Sequence, residues 1–343
     1  AGTRVNGQNS WELPQKMLGI YFDNEYDKNN LDYPLFFERD RRQYDNFILR
    51  ASGSDWSFTL FRDALCQHMT NGFMDVEKAG FRPSIVYVNG EYMGIHNLRS
   101  RVDESFIEDN FGYTSDEYDL IENDGTVENG DAIAFSQLFA LFNEDLTNPT
   151  YYNKVDSLMD IRNFTDYFIT EIWAGNGSWG HNIQMWKPKN EGKWRFILQD
   201  LDRGFSGSDN DGIDEFTTVN NPQSYNWARN MVESMLENED FADQFSQRFT
   251  DHLFTTFHPQ RVTKEILKRK SAIQAEIPFH VDRWAGTMSN YGDGIPSVDF
   301  WENEVNGLIS FSEERQGFMI EDLRDHFPLE EEVNLGIMLF PNE

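Results

Sequence analysis

The first third of the chain alternates short apolar runs with polar turns that contain glycine, a pattern typical of β-strands. Residues 17–22 and 47–50 each predict a strand. Residues 84–99 predict two strands joined by Asn89-Gly90, a dipeptide that accepts the positive φ angles of a tight hairpin turn. Apolar positions at helical spacing in residues 57–70 predict one helix. This part of the chain is therefore expected to be rich in strands.

After residue 105 the apolar spacing becomes mainly helical. Helical patterns cover residues 130–146, 152–176, 224–256 and 260–284, with a strand pair around Met185-Trp186 and at 194–198. The sequence therefore predicts an α+β, two-lobed fold, with a strand-rich N-lobe at 1–105 and a mainly helical C-lobe at 106–326. Residues 327–343 return to strand character and could begin a further β module.

Composition and charge narrow the classes of function. Against 59 Asp and Glu, the 343 residues include only 29 Lys and Arg, so the formal net charge is −30. Such a surface repels nucleic acid and anionic lipid, and no apolar run is long enough to span a bilayer. The single cysteine, Cys66, lies among apolar residues and is expected to be a buried, inert thiol. The acidic, aromatic-rich composition is compatible with an exported bacterial protein and with a salt-adapted cytoplasmic one.

Candidate chemistry lies at the end of one apolar strand. Asp200 and Asp202 follow the apolar FIL segment, and Asn182 precedes the paired strand. Two nearby carboxylates repel each other unless a cation or a proton compensates, and oxygen ligands of this kind suit Mg²⁺ shared with a phosphate. Alternatively, the two acids cap backbone amides or pair with Arg203, as short acidic turns often do.

A second acidic segment follows at residues 207–216. Asp209, Asp211 and Asp214 could offer oxygen atoms to Ca²⁺, but the full twelve-residue ligand pattern with its terminal Glu is missing. The alternative is a solvated acidic loop.

Motifs spread along the chain resemble one family. They are TRVNGQNS and PQK near the start, then FILRASGSDW, LFRDAL, VYVNGEYMGIHNLR, GN at 175–176, GKWRFILQDLDRGF, FADQFSQRFTDHLFTTFHPQRV and EIPFHVDRW. Together they cover about 320 residues, and such an ordered series is more specific than any single motif. The chain resembles the spore-coat protein H (CotH) kinase-like family, which implies an atypical protein-kinase fold.

The resemblance implies roles for the acids at the strand end. Asp200 would hold Mg²⁺ with help from Asn182, and Asp202 would be a further ligand or support the first.

It also implies roles for residues around the nucleotide. The turn from Gly7 to Ser10 would approach the phosphates with its backbone N–H groups, and Lys16 or Arg50 would supply the bridging cation, with Lys16 preferred. Arg101 is a further candidate for nucleotide binding. The structural alternatives are an exposed lysine for Lys16, and for Arg50 a buried pair with Asp63 or Asp55.

Two positions depart from the family pattern. Ser178 stands where the family usually has an aspartate that resembles the kinase catalytic base, and a hydroxyl is not a general base near neutral pH unless another group activates it. His181 lies close in sequence and could take that role, although a loop histidine is more often an ordinary polar residue. After the hairpin, the chain has Arg99-Ser100-Arg101 where the family commonly places Glu between two basic residues.

Two functions follow from these observations. The first is an ATP- and Mg²⁺-dependent protein Ser/Thr kinase acting on an extracytoplasmic or coat protein, weakened by Ser178. The second is a catalytically inactive, kinase-like module that binds a protein or glycan. Exposed aromatics near Trp173, Trp179 and Trp186 would serve such binding, although core packing explains most of these rings. Either would be secreted or at the cell surface, as a monomeric domain of a larger protein.

Overall fold

The computed structural model describes residues 1–7, 9–23, 25, 30–37, 41–217 and 225–328. Its strands, in chain order, are β1 (Gly2–Asn6), β2 (Met17–Tyr21), β3 (Leu31–Asp32), β4 (Gln43–Tyr44), β5 (Asn46–Arg50), β6 (Glu77–Lys78), β7 (Phe81–Val88), β8 (Glu91–Arg99), β9 (Tyr118–Glu122), β10 (Thr126–Asn129), β11 (Gln184–Pro188) and β12 (Arg195–Leu198).

The helices divide into those before and after the acidic strand end. Before it lie α1 (Arg62–Met69), α2 (Glu104–Phe111), α3 (Ile133–Leu141), α4 (Pro149–Leu158) and α5 (Ile161–Ala174). After it lie α6 (Gly212–Thr217), α7 (Asn226–Leu236), α8 (Glu239–Phe254), α9 (Pro259–Ile273), α10 (Ile277–Trp284) and α11 (Val298–His326).

The first lobe is built on an antiparallel sheet with the strand order β1-β2-β5-β8-β7. Its longest pair, β7 and β8, is the predicted hairpin, and Asn89 and Gly90 have φ angles of 52° and 85° at the turn. Positive φ at both central residues matches the right-handed twist of the two strands. The prediction of this hairpin is confirmed.

The second sheet has the order β10-β9-β11-β12-β6. Neighbouring strands are antiparallel except for β6, which runs parallel to β12 with Ile197 opposite Glu77. Strand β6 comes from the chain before the first-lobe hairpin, so the N-terminal part of the chain supplies one edge of the second sheet. Because β5 and β12 both end at the space between the sheets, the side chains that follow them meet there.

Helix α5 forms the centre of the second lobe. Every residue from Asn163 to Ala174 is buried, and the Trp173 ring stacks on Phe257 with 4.3 Å between the ring centroids. Asp160 caps the start of the helix by accepting from the backbone N–H of Asn163, and Gly175 ends it at φ 57°. One core continues from Trp56 and Leu65 in the first lobe to residues of α5 and α11.

The predicted α+β class and two-lobed arrangement are confirmed. Three of the predicted helical segments are each two helices, because Asp160 and Asn238 cap new helices and Pro278 lies in the first turn of α10. The predicted boundary at residues 105 and 106 falls inside α2. Most of the proposed β module, residues 329–343, lies outside the described residues.

Several side chains proposed for other roles are buried. Cys66 is buried and free, as expected, and burial raises the pKa of its thiol. Trp173, Trp179 and Trp186 are buried too, which agrees with the core-packing alternative and leaves these rings no part in an exposed binding surface. None of the helices in the described part of the chain has both the length and the apolar character needed to cross a bilayer.

Candidate functional site

A cleft with two chambers lies between the sheets. The chamber lined by the buried residues Asp63, Gln67 and Arg99, which we call the inner chamber, has a volume of about 310 Å³. The chamber lined by Ser10, Thr126 and Tyr291, which we call the outer chamber, has a volume of about 510 Å³. Six residues line both chambers and so mark their junction: Gly7, Met17, Arg50, Glu122, Asn182 and Asp200. The structure therefore brings together residues that are up to about 190 positions apart in the sequence.

Asp200 reaches the junction from a strained position on the backbone. It is the second residue after β12 and has a φ of 56°, a left-handed conformation that few residues other than glycine adopt, Asp and Asn being the usual exceptions. The backbone N–H of the next residue, Leu201, donates to Asp63 Oδ1 over 2.9 Å. The backbone strain at Asp200 is thus held in place by a contact with helix α1 of the first lobe.

Arg50 bridges the two aspartates. Its Nη2 donates to Asp200 Oδ1 and, over 2.7 Å, to Asp202 Oδ2. Asp202 Oδ2 also accepts from the backbone N–H of Ser54 over 3.0 Å. Gly53 packs against this contact so closely that a Cβ on it would lie 1.9 Å from Asp202 Oδ2. Asp202 therefore accepts from a backbone amide, as one alternative supposed, and both acids pair with Arg50 and not with Arg203.

Burial and the charges of neighbouring side chains both shift the pKa values of Arg50 and Asp202. Burial opposes the charge on Arg50, but Asp200, Asp63 and Asp202 outweigh it and raise the pKa of the guanidinium. Burial and the neighbouring charge of Asp200 raise the pKa of Asp202, and Arg50 only partly offsets them. One guanidinium therefore compensates two carboxylates incompletely, which leaves room for further positive charge.

Asp63 is the residue that ties the first lobe to this segment. Its Oδ2 accepts from Arg99 Nη1 over 2.5 Å, and its Oδ1 accepts from Gln67 Nε2 as well as from Leu201. Burial opposes the charge on Asp63, but Arg99 and Arg50 lower the pKa of the carboxyl to about 2. The hydrogen-bonded partner of Asp63 is Arg99, and Asp55 accepts from Thr59 and Arg62, so the expected structural pair of Arg50 with Asp63 or Asp55 is not formed.

Of the three residues proposed around the glycine-rich turn at 175–180, two line the cleft. Asn182 lines both chambers and His181 the outer one, where His181 Nδ1 lies 2.6 Å from the Tyr225 hydroxyl. Ser178 is buried, and its Oγ donates to Asn176 Oδ1 over 3.1 Å. Ser178 is not among the residues that line the two chambers. The serine hydroxyl is thus engaged in a local turn.

The residues proposed to contact phosphates line the cleft, with the exception of Lys16. Gly7 lines both chambers, Ser10 the outer one and Arg101 the inner one, where Arg101 pairs with Asp103 over 3.0 Å. Gly7 has a φ of 107°, and a Cβ on it would lie 2.2 Å from Ser10 Oγ, so this turn requires glycine. Lys16 instead donates to two backbone carbonyls, Trp11 O over 2.6 Å and Leu13 O over 2.7 Å, and lies outside the lining of both chambers.

Two acidic residues were missed by the sequence analysis. Glu122 ends β9 and lines both chambers, where burial and Glu128 raise the pKa of its carboxyl. Its position before the turn Asn123-Asp124-Gly125 is the only local signal for it. Glu171 is buried on α5, and burial raises its pKa to about 8. Its Oε2 accepts from Asn176 Nδ2 over 2.9 Å.

The donor atoms at the junction fit Mg²⁺. The Asn182 amide nitrogen donates to the carbonyl of Ser178 over 3.2 Å, which leaves the amide oxygen as the atom that can bind a cation. Carboxylate and amide oxygens are hard ligands, and Mg²⁺ usually takes only one or two carboxylates and completes its shell with phosphate and water. In the described ranges, no group of three or more His, Cys, Asp or Glu side chains is placed to hold a metal ion without such help.

The calcium alternative for the acidic loop gains no support from the structure. Asp211 Oδ1 accepts from the backbone N–H of Asp214 at the start of α6, and Asp211 Oδ2 lies 3.1 Å from His326 Nε2. Asp209, Asp211 and Asp214 are not gathered into a metal-binding group.

The chain belongs to the family described as CotH kinase protein, whose pattern it matches over residues 3–319. The two-lobed fold is accordingly kinase-like. No curated protein sequence matches the chain.

Two solved structures are similar to it at low identity. The crystal structure of a Helicobacter pylori proinflammatory kinase, CtkA, has 11% identity, covers 90% of this chain and 93% of its own, and gives a TM-score of 0.30. A Shewanella oneidensis MR-1 toxin–antitoxin complex of HipA, HipB and operator DNA has 12% identity, covers 94% of this chain and 70% of its own, and gives a TM-score of 0.31. Both likenesses are too weak to add to the family assignment.

Proposed function

We propose that the cleft binds ATP with Mg²⁺ and that the protein is a slow protein Ser/Thr kinase. The observation that carries this proposal is the convergence of Arg50, Asn182 and Asp200 at the junction of the two chambers. A cation and two kinds of oxygen ligand at one point, in a cleft of this size, suit a phosphate group and a divalent ion better than an apolar ligand. Membership of the CotH kinase family supports the same conclusion.

In this proposal, oxygen atoms of the cleft bind the metal ion and the positively charged side chains bind the phosphates. Asp200 and the Asn182 amide oxygen would hold Mg²⁺, with Asp202 behind them. When bound, the ion neutralises charge on the transferred phosphoryl group. Arg50 and Arg101 supply positive charge for the phosphates, and Gly7 and Ser10, which line the cleft, would let the backbone approach them. Lys16, the cation preferred from the sequence, is engaged with carbonyls, so Arg50 takes its place in this proposal.

Slow transfer follows from Ser178. Its hydroxyl is buried and donates to Asn176, so it does not offer the proton acceptor that an aspartate would. Phosphoryl transfer depends mostly on positioning and charge stabilisation, so the reaction would be slowed and not abolished. The same burial favours the second candidate, a kinase-like module that binds nucleotide without transferring phosphate.

Two measurements test the proposal. The first is the shift in unfolding temperature on adding ATP and Mg²⁺, which should vanish in Asp200→Asn and persist in the exposed control Asp243→Asn. No shift in the unmodified protein would refute nucleotide binding.

The second is transfer of the γ-phosphate from radiolabelled ATP to itself or a generic protein substrate. Transfer by the unmodified protein supports the kinase. If the unmodified protein binds ATP but transfers no phosphate, and Ser178→Asp gains transfer, the protein is the non-catalytic module. The acceptor we propose is a protein outside the cell or in a coat, with this chain acting as a monomeric domain of a larger protein that is secreted or at the cell surface.

A further inference from the structure

We infer that the Arg50 guanidinium and the divalent cation compete for the same carboxylate oxygens, and that nucleotide opens the metal position by giving Arg50 other partners. This inference rests on the proposed function and concerns how the same site is regulated. It makes metal binding depend on nucleotide, through one side chain.

The Arg50 head group lies between the carboxylates of Asp200 and Asp202. A single nitrogen atom, Arg50 Nη2, donates to both Asp200 Oδ1 and Asp202 Oδ2. One atom that bridges oxygens of two different carboxylates takes the position that a cation would take between them. The Asp202 side chain is 5% exposed and Asp200 34%, so water compensates the first of these charges poorly.

Electrostatic repulsion prevents the Arg50 guanidinium and a divalent cation from binding the same carboxylates at the same time. A guanidinium within hydrogen-bonding distance of a carboxylate repels a divalent ion on the same carboxylate, and the repulsion is strong in a partly buried cleft. Metal alone must therefore displace Arg50 from its acids. The displaced guanidinium would lose two charge-assisted hydrogen bonds.

Arg50 is also placed to move. It lines both chambers, so its head group can turn from the acids into either space. Its Nε is buried and has no hydrogen-bond partner in the described part of the chain, so the guanidinium is incompletely satisfied where it lies. Nucleotide phosphates would offer the oxygens that this side chain lacks. Because coupling between two ligands is reciprocal, nucleotide should tighten metal binding and metal should tighten nucleotide binding by the same factor.

The experiment measures Mn²⁺ binding by electron paramagnetic resonance, with and without ATP, in the unmodified protein, in Arg50→Gln and in Arg82→Gln. Arg82 lies on β7 outside the cleft, so its substitution removes the same charge at a distance. We expect Arg50→Gln to bind Mn²⁺ alone at least ~10-fold more tightly than the unmodified protein and to bind metal-free ATP more weakly. Arg82→Gln should match the unmodified protein. If Arg50→Gln does not fold, Arg50→Lys replaces it, with a smaller change in the same direction.

The outcomes separate this inference from the proposed function. If the unmodified protein binds Mn²⁺ as tightly without ATP as with it, and Arg50→Gln changes neither affinity, competition is refuted while the nucleotide site stands. If neither Mn²⁺ nor ATP binds the unmodified protein in any combination, both proposals fail.

Discussion

The side-chain amide of Asn176 donates to the buried carboxyl of Glu171 over 2.9 Å, and the same nitrogen lies 3.4 Å from the carbonyl oxygen of Asp200. Asn176 Oδ1 accepts from both the backbone N–H and the hydroxyl of Ser178. One amide therefore joins the end of α5, the turn that carries Ser178 and the backbone of Asp200. We therefore expect a change in the protonation of Glu171 to alter the hydrogen bonds of Asn176.

Glu171 predicts a pH dependence of stability. Burial raises its pKa from 4.5 to about 8, so between these values the folded protein holds a proton that the unfolded chain has released. The free energy of unfolding therefore falls as pH rises through this window, by up to about 1.4 kcal/mol for each pH unit. Glu171→Gln should remove this loss, which urea denaturation at pH 5, 7 and 9 will measure.

The matched control is Glu233→Gln, because Glu233 is exposed on α7. It should keep the pH slope of the unmodified protein. An equal slope in Glu171→Gln would show that the carboxyl at 171 titrates normally in the folded state.

Asp63→Asn should destabilise the protein by roughly 3 kcal/mol, because it removes the negative charge of the carboxylate that pairs with the buried guanidinium of Arg99. Asp63 also accepts from the backbone of Leu201, so the segment between Asp200 and Asp202 should loosen. Chemical denaturation gives the change in stability, and hydrogen exchange at Leu201 reports the local effect. Asp243→Asn on α8 is the exposed control, and a loss as small as in that variant would contradict the prediction.

Gly53→Ala should cost more than Gly72→Ala. Both glycines have positive φ angles, 58° and 76°, so both substitutions carry roughly 1 kcal/mol of backbone strain. A Cβ at residue 53 would also lie 1.9 Å from Asp202 Oδ2, whereas at residue 72 it would meet nothing within 4 Å. The difference in unfolding free energy between the two variants therefore measures the close packing at the Arg50–Asp202 contact, and equal values would refute it.

Arg315→Lys should destabilise the protein by about 2 kcal/mol or more, although it keeps the charge. The buried guanidinium donates to four backbone carbonyls, those of Ile172, Trp173, Ser208 and Asn210. A lysine has three donors on one nitrogen and cannot span these positions. Arg324→Lys on the same helix is exposed and should be nearly neutral in the same denaturation measurement.

Local patterns predicted those parts of the fold that local chemistry determines. Asn89-Gly90 specified its hairpin, because few other dipeptides accept two positive φ angles. The aspartates after β12 were found because a strand end marks where side chains can meet, whereas Arg50 was proposed only from the family resemblance. Long helical spacing concealed the break at Asp160, since a capping residue does not interrupt an apolar pattern.

Partners distant in sequence were not predictable in this way. Arg50 and Asp200 are 150 positions apart, and Asp63 and Leu201 are 138 apart. Glu122 received no prediction, because no strand was predicted before it and its partners in the cleft lie far away in the sequence. The choice of Lys16 as the phosphate cation came from the family resemblance, and nothing in the sequence showed that two carbonyls nearby would engage its ammonium group.

Strand β6 has a consequence for how this chain can be divided. It leaves the first lobe before the hairpin and pairs with β12, where Lys78 lies opposite Leu198. Cutting the polypeptide near residue 105 would therefore remove the edge strand β6 from the second sheet and leave β6 without β12 on the N-terminal fragment. We therefore expect that neither half folds on its own, so that gene fusions and split reporters should carry the two lobes together.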